Sequence, residues 1–384
     1  MALSTLYYIF FAVTFWLSIS VVYMFIYSVT GFFYKNRNSI HHINLPKIAV
    51  FIPAYKEDEV IIEVAQKALL QNYNGNYDVI IIADSLKGKT IKELLKLPIK
   101  VIEVDFEKST KAKALNYAMD GIKKQYDMAL VLDADNVMEH NALTVFGSAY
   151  LDGSLATQGH RCAKNQETSI ALLDGLSEEV NNHIYCKGPA AVNLSSRLVG
   201  SGMAFDYNLF KSLMKNIDAV GGFDKELELK IIKKKIRINY NSSAIIYDEK
   251  VSKSEVFEQQ RRRWISAQYY YMVKSMPIAF FELLKGNFDY FYKALQLTFP
   301  PRLILPGILF LFSGLFLILD LNYFSIIWFS LFILNVLAYS LSIPAKYWNK
   351  KLFNGVIAIP KAFIVTLRAL FSISGANKTF MHTP

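Results

Sequence analysis

Hydrophobic and polar positions divide the chain into three textures. Residues 6–33 form an almost unbroken apolar run without a charge, longer than the roughly 20 residues a membrane-crossing helix needs. From residue 47 the pattern changes to short apolar runs alternating with amphipathic stretches. Residues 47–52, 79–83, 100–104 and 128–132 have the length and content of buried strands. Between them, residues 59–71 place Val60, Val64 and Ala68 at helical spacing, and residues 111–124 do the same with Ala114, Ala118 and Ile122. Strands alternating with helices predict a parallel sheet with right-handed crossovers, an α/β architecture of the nucleotide-binding type. The third texture begins at residue 256. Residues 256–277 predict a helix with Ile265, Tyr269, Met272 and Met276 on one face and Arg261, Arg262 and Arg263 in the turn before it, suited to a membrane interface. Residues 303–319 and 323–343 are two further apolar spans joined by Asp320, Leu321 and Asn322. Residues 355–374 are apolar but interrupted by Pro360, Lys361 and Arg368, which predicts an interfacial helix rather than another span.

Charge gives these spans an orientation. Lys35, Arg37 and Lys47 follow the first span, Lys346, Lys350 and Lys351 follow the last, and the turn between the paired spans has no basic residue. Basic residues favour the cytosolic side, so the N-terminus is expected outside and the central region in the cytosol. The net charge of +10 does not change that picture. The basic residues adjoin apolar segments and aromatic clusters rather than forming a nucleic-acid motif, so membrane lipids are the expected partner and nucleic acid is not. Cys162 and Cys186, both in the central region, are expected to be reduced and structural.

The chemistry collects at strand ends. Residues 128–137 read MALVLDADNV, an apolar run ending in Asp133 and Asp135 with Ala134 between them. Residues two apart on an extended strand point the same way, so both carboxylates can aim at one hard divalent cation. Alone, Asp-Ala-Asp-Asn reads more readily as an ordinary turn after a strand. The first strand, however, runs into Ala54, Tyr55 and Glu57, the second ends at Asp84, and the third leads to Lys111 and Asn116, a convergence on one sheet edge. Gly200 and Gly202 flank Ser201, as a ligand approach or a plain turn would require. His160 and His183 have no partner at metal-ligand spacing and are read as structural. In GGFDKELELK, residues 221–230, Asp224 is a good N-cap and Glu226 a candidate general base. Arg263 is a candidate bidentate partner for a pyrophosphate and Trp264 a flat stacking surface for a sugar.

Taken together, residues 48–264 resemble a membrane-bound family 2 glycosyltransferase of the cellulose, chitin and hyaluronan synthase-like branch. The motifs come in that family's order: FIPAYKE at 51–57, Asp84, KAKALN at 111–116, the Asp133 and Asp135 pair, the acidic helix start at Glu226, and QRRRW at 260–264. The resemblance implies an α/β GT-A fold, a Rossmann-like mixed sheet of the nucleotide-diphospho-sugar transferase kind, inserted between transmembrane and interfacial helices. The expected segments are an N-terminal transmembrane helix (1–34), a cytosolic GT-A domain (46–255) and interfacial amphipathic helices carrying QRRRW (256–300). A transmembrane hairpin (301–345) and a C-terminal interfacial helix with its tail (346–384) follow. A multipass protein of the cell (inner) membrane is expected.

The same resemblance implies a metal-dependent, hexosyltransferase-type enzyme that uses a nucleotide-sugar, usually a UDP-sugar, with Mg²⁺ or Mn²⁺. Ala54, Tyr55, Glu57 and Asp84 would hold the nucleotide, Lys111 the phosphate side, Asp133 would lie near the diphosphate and Asp135 on the metal. Glu226 would deprotonate the acceptor in an inverting displacement, Arg263 and the metal would stabilise the departing diphosphate, and Gln260 and Trp264 would line the acceptor end. Because Lys225 and Glu226 stand where many relatives have two acidic residues, Asp224 or Glu228 is an alternative base. The expected product is a β-linked growing polysaccharide, with single-sugar transfer to a lipid-linked or capsule-type oligosaccharide as the alternative. A homo-oligomer or an export partner is left open.

Overall fold

The computed structural model describes residues 2–36 and 44–373; Arg37 and the tail from residue 374 lie outside the described residues. Among the described residues eight strands form one sheet: β1 (Ile48–Tyr55), β2 (Tyr77–Asp84), β3 (Lys100–Val104), β4 (Met128–Val131), β5 (Val137–Met138), β6 (Ala156–Ala163), β7 (Met203–Asp206) and β8 (Asn239–Asp248). Their order is β3-β2-β1-β4-β7-β6-β8-β5. The first four are parallel, with Tyr55 opposite Asp84 and Phe51 opposite Val131. β7 is antiparallel to both β4 and β6, β6 and β8 are parallel, and β5 is antiparallel to β8, so the sheet is mixed.

Alternation along β1 explains why this half of the sheet is buried on both faces. Ala49 and Phe51 pack with Phe205, Phe210 and Leu227 on one side, whereas Ile48, Val50 and Ile52 pack with Val64, Leu94 and Phe146 on the other. Helices on both sides cover these faces, as a parallel sheet requires. The chain leaves β1 towards β2 and β3, then returns to β4 on the far side of β1. That reversal opens a crevice beyond the C-terminal ends of β1 and β4, where open α/β sheets bind ligands.

The four strands and two helices expected from periodicity are present, the helices shortened to Ile61–Ala68 and Lys111–Gly121. β6, β7 and β8 were not anticipated. Polar groups interrupt their apolar pattern because several of those groups are bonded within the protein, including Gln158, Arg161 and Asp248.

Outside the sheet, two helices among the described residues are long and apolar enough to cross a membrane: the candidate spans are residues Tyr8–Phe33 and Asn322–Ser342. They run side by side in the same direction. Phe10 meets Phe324, the Trp328 indole donates to Thr14 Oγ1, and Met24 lies beside Tyr339. Leu305–Ile318, the first arm of the expected hairpin, has only 14 residues, about 21 Å of helix and short of a bilayer core.

Two expectations are corrected here. Arg261, Arg262 and Arg263 do not precede the amphipathic helix; they lie inside a single helix, Ser254–Leu284, which also continues through Pro277. Its Ile265 is buried, and its Met272 and Met276 pack on the domain core. Instead, Tyr270, Val273, Phe280, Phe281 and Leu284 form the exposed apolar stripe. The core claims the more regular apolar face because it offers closer packing than solvent or headgroups do.

Candidate active site

β4 is fully buried and delivers the chain to a tight turn at Asp133–Asn136. Asn136, wholly buried, holds this turn: its Oδ1 accepts from the Asp133 N–H at 3.1 Å, and its amide donates to Asp135 at 3.0 Å and to Asp248 at 2.8 Å. Asp248, the last residue of β8, is thereby drawn beside the pair expected from sequence. Carboxylate oxygens of Asp133, Asp135 and Asp248 lie within 4.8 Å of one another.

The charges around this cluster are unequal. Burial raises the energy of ionised Asp248, but Arg161, 2.6 Å away, and Lys250, 2.7 Å away, outweigh it and hold its carboxyl well below the usual range. For Asp135, burial followed by repulsion from Asp248 and Asp133 pushes the carboxyl up to about 8. A half-buried carboxylate that lacks enough countercharge, in an all-oxygen donor set, fits a hard dication such as Mg²⁺ or Mn²⁺. Asp133 is partnered by Lys111, whose Nζ lies 2.5 Å from Oδ1 and also donates to the Gly200 carbonyl at 2.9 Å. Lys111 starts its helix because Thr110 caps it, accepting from the Lys113 N–H.

On the other side of the crevice, Asp84 is buried at the end of β2. Burial pushes its carboxyl up against the opposing effect of hydrogen bonds from Ser109 at 3.0 Å and Ser85 at 3.1 Å. Tyr55 is its register partner on β1, Ala54 is fully buried beneath, and Glu57 follows on the loop. The Ser109 bond ties Asp84 to the segment that leads into the Lys111 helix.

Gly222, at φ +70°, caps the Phe223–Lys233 helix; Asp224 does not, and lies in the first turn instead. A Cβ on Gly222 would meet Ala267 at 2.9 Å, so glycine also permits the close approach of the Ser254–Leu284 helix. Across that contact the Tyr271 hydroxyl donates to Glu226 at 3.0 Å, and Lys230 lies 2.9 Å from the same carboxylate. Glu228 is buried and accepts the Leu198 N–H, which occupies it structurally. The Asp224 and Asp133 charges both act on Arg263, partly offsetting the burial that disfavours its charge. Arg261 points elsewhere, pairing with buried Asp174 and stacking between the rings of Phe257 and Trp264 at 4.3 and 4.5 Å. Gln260 presents a buried Oε1 with no hydrogen-bond partner among the described residues.

Residues 46–267 match the sequence profile described as "Glycosyltransferase like family 2". The chain belongs to this family. As a glycosyltransferase of family 2 it is a nucleotide-sugar transferase, and its curled mixed sheet is of the GT-A kind. The mannosyltransferase PcManGT from Pyrobaculum calidifontis, solved with GDP-Man and Mn²⁺, is similar in fold: TM-score 0.50 and 13% identity over 84% of this chain and 98% of that one. S. aureus TarS 1–349 matches with TM-score 0.41 and 15% identity over 84% and 90% of the two chains. Glucosyl-3-phosphoglycerate synthase from Mycobacterium tuberculosis does so with TM-score 0.39 and 16% identity over 57% and 78%. No curated protein matches the glycosyltransferase in sequence.

Sequence reasoning missed Asp248, Arg161, Lys250 and Asn136. Asn136 was visible as the residue after the Asp pair, but Arg161 and Asp248 sit on strands whose periodicity is weak, and Lys250 lies two residues past the end of β8. A carboxylate closing the run SSAIIYD was their one local signal.

Proposed function

We propose that the protein is a membrane-embedded inverting glycosyltransferase that moves a sugar from a nucleotide-sugar, of the UDP class, to a growing polysaccharide through a β-linkage. One observation carries this reading. The carboxylates of Asp133, Asp135 and Asp248 converge at the sheet's switch point, beside Lys111 and within the field of Arg263. In this reading Ala54, Tyr55, Glu57 and Asp84 hold the nucleotide, and Lys111 and Arg263 hold the diphosphate. Asp135, with Asp248 and Asp133, would bind Mg²⁺ or Mn²⁺, which when bound neutralises charge on the leaving diphosphate. Glu226 takes the acceptor hydroxyl proton as the new C–O bond forms at the anomeric carbon and the bond to the diphosphate breaks. Its hydrogen bond from Tyr271 and the nearby Lys230 orient it for that role. Gln260 and Trp264 line the acceptor end, with Trp264 backed by Arg261.

The two apolar helices and the exposed stripe on the Ser254–Leu284 helix support a multipass location in the cell membrane with the catalytic domain in the cytosol. The two long spans and one short arm among the described residues are few for a polymer channel. That favours, as a second reading, single-sugar transfer to a lipid-linked or oligosaccharide acceptor.

The test is nucleotide release by the purified protein in nanodiscs across UDP- and GDP-sugars with Mn²⁺ or Mg²⁺, beside Asp135→Asn. Release from one UDP-sugar, lost in the variant, supports the reading; release from a GDP-sugar corrects the donor. Nucleotide release independent of Asp135 and of metal overturns the mechanism.

A further inference from the structure

On β6, Arg161 points to the catalytic carboxylates, and its neighbours His160 and Cys162 therefore point to the opposite face of the strand. There they meet Glu179 of the Ser169–Asn181 helix. One ligand atom from each of His160, Cys162 and Glu179 lies within 4.8 Å of the other two, and His160 Nε2 is 3.5 Å from Glu179 Oε2. We propose that these three side chains form a second metal site, for a divalent cation of borderline softness such as Zn²⁺, separate from the oxygen-only centre across the strand.

The donor set carries the assignment. Nitrogen, thiolate sulfur and a carboxylate oxygen suit zinc rather than Mg²⁺, and three protein ligands leave a fourth position for water. A tetrahedral zinc with bonds of about 2.0–2.3 Å holds its ligand atoms roughly 3.3–3.8 Å apart, so the three side chains need only a small contraction. His160 already has the support a metal ligand uses: its Nδ1 is bonded to the Tyr240 hydroxyl at 2.5 Å, which fixes the ring with Nε2 towards Glu179. Glu179 Oε1 is buried and meets only the Lys346 ammonium, without a well-aligned hydrogen bond, and the buried Cys162 is in no disulfide.

One cation is already near. Lys346 Nζ lies 3.3 Å from Glu179 Oε1, but its side chain is 60% exposed and can swing out as the metal enters. Binding then exchanges the Lys346 contact for a metal bond, and the Cys162 thiol proton goes to solvent. The sequence could not show this site, because Cys162 follows His160 by two residues on an unanticipated strand and Glu179 lies on a separate helix.

The experiment uses the full chain in detergent, stripped with chelator and titrated with Co²⁺. A thiolate-to-cobalt charge-transfer band is expected, displaced by Zn²⁺, abolished in Cys162→Ser, weakened at least tenfold in affinity in His160→Ala, and unchanged in Asp135→Asn. No band from folded protein overturns the proposal, and so does a band that survives Cys162→Ser, which would assign the sulfur to Cys186. Should Cys162→Ser not fold, Lys346→Ala decides: removing the competing ammonium should tighten Co²⁺ binding several-fold, and unchanged affinity places the cobalt elsewhere.

Discussion

Arg161 Nη2 donates to Asp248 Oδ2 across 2.6 Å, and this buried pair sets the charge balance of the whole carboxylate cluster. Removing one partner of such a pair leaves the other uncompensated, at a cost on the order of 3–5 kcal/mol. Arg161→Met is therefore expected to lower the thermal midpoint markedly. Mn²⁺ should restore part of the loss by supplying charge to Asp248, which differential scanning with and without the ion would read.

Asp135 makes the metal-free protein sensitive to pH. Its carboxyl is pushed from its ordinary 3.8 up to about 8, so below the lower value both folded and unfolded states hold the proton. Between the two values only the folded state keeps it, and stability falls as pH rises, levelling above about 8. Metal binding expels that proton, so Mn²⁺ should stabilise the protein more at pH 8 than at pH 6. Asp135→Asn is expected to flatten both dependences, and unfolding midpoints across pH would check this.

Glu226 and Asp224 divide the acidic helix start between them. Glu226→Gln should leave nucleotide binding within about twofold, while lowering transfer by the 10²–10⁴-fold expected of a lost general base. Asp224→Asn should act more weakly and chiefly on diphosphate release, through Arg263. If Asp224→Asn alone abolishes transfer with donor binding intact, the base is Asp224.

Arg261 holds Trp264 in place from behind, and Asp174 holds Arg261. Asp174→Asn should raise the acceptor KM several-fold, leave the donor KM near its starting value, and increase hydrolysis of the donor relative to transfer. Equal changes in both KM values would point to general destabilisation instead.

Phe10 meets Phe324, so the start of the N-terminal helix and the Asp320–Asn322 turn lie on the same side of the apolar helices. Asn322→Cys should react with an impermeant thiol reagent from outside intact cells. Labelling only after permeabilisation would reverse the orientation.

What the residues announced on their own was local. Four parallel strands, the Lys111 helix, the apolar runs and the Asp133 and Asp135 pair were legible because strand alternation, helical spacing and uncharged length are properties of neighbours in the chain. Asp248, the split between Arg261 and Arg263, the exposed face of the Ser254–Leu284 helix and the meeting of His160, Cys162 and Glu179 were not. Each depends on which distant group fills the other side of a contact. Asp248 stands more than 110 residues from Asp135 and joins it only because β8 lies beside β6 and ends where Asn136 and Arg161 can bind it. Burial then makes that juxtaposition matter, since only in a poorly solvated interior do three carboxylates demand a cation.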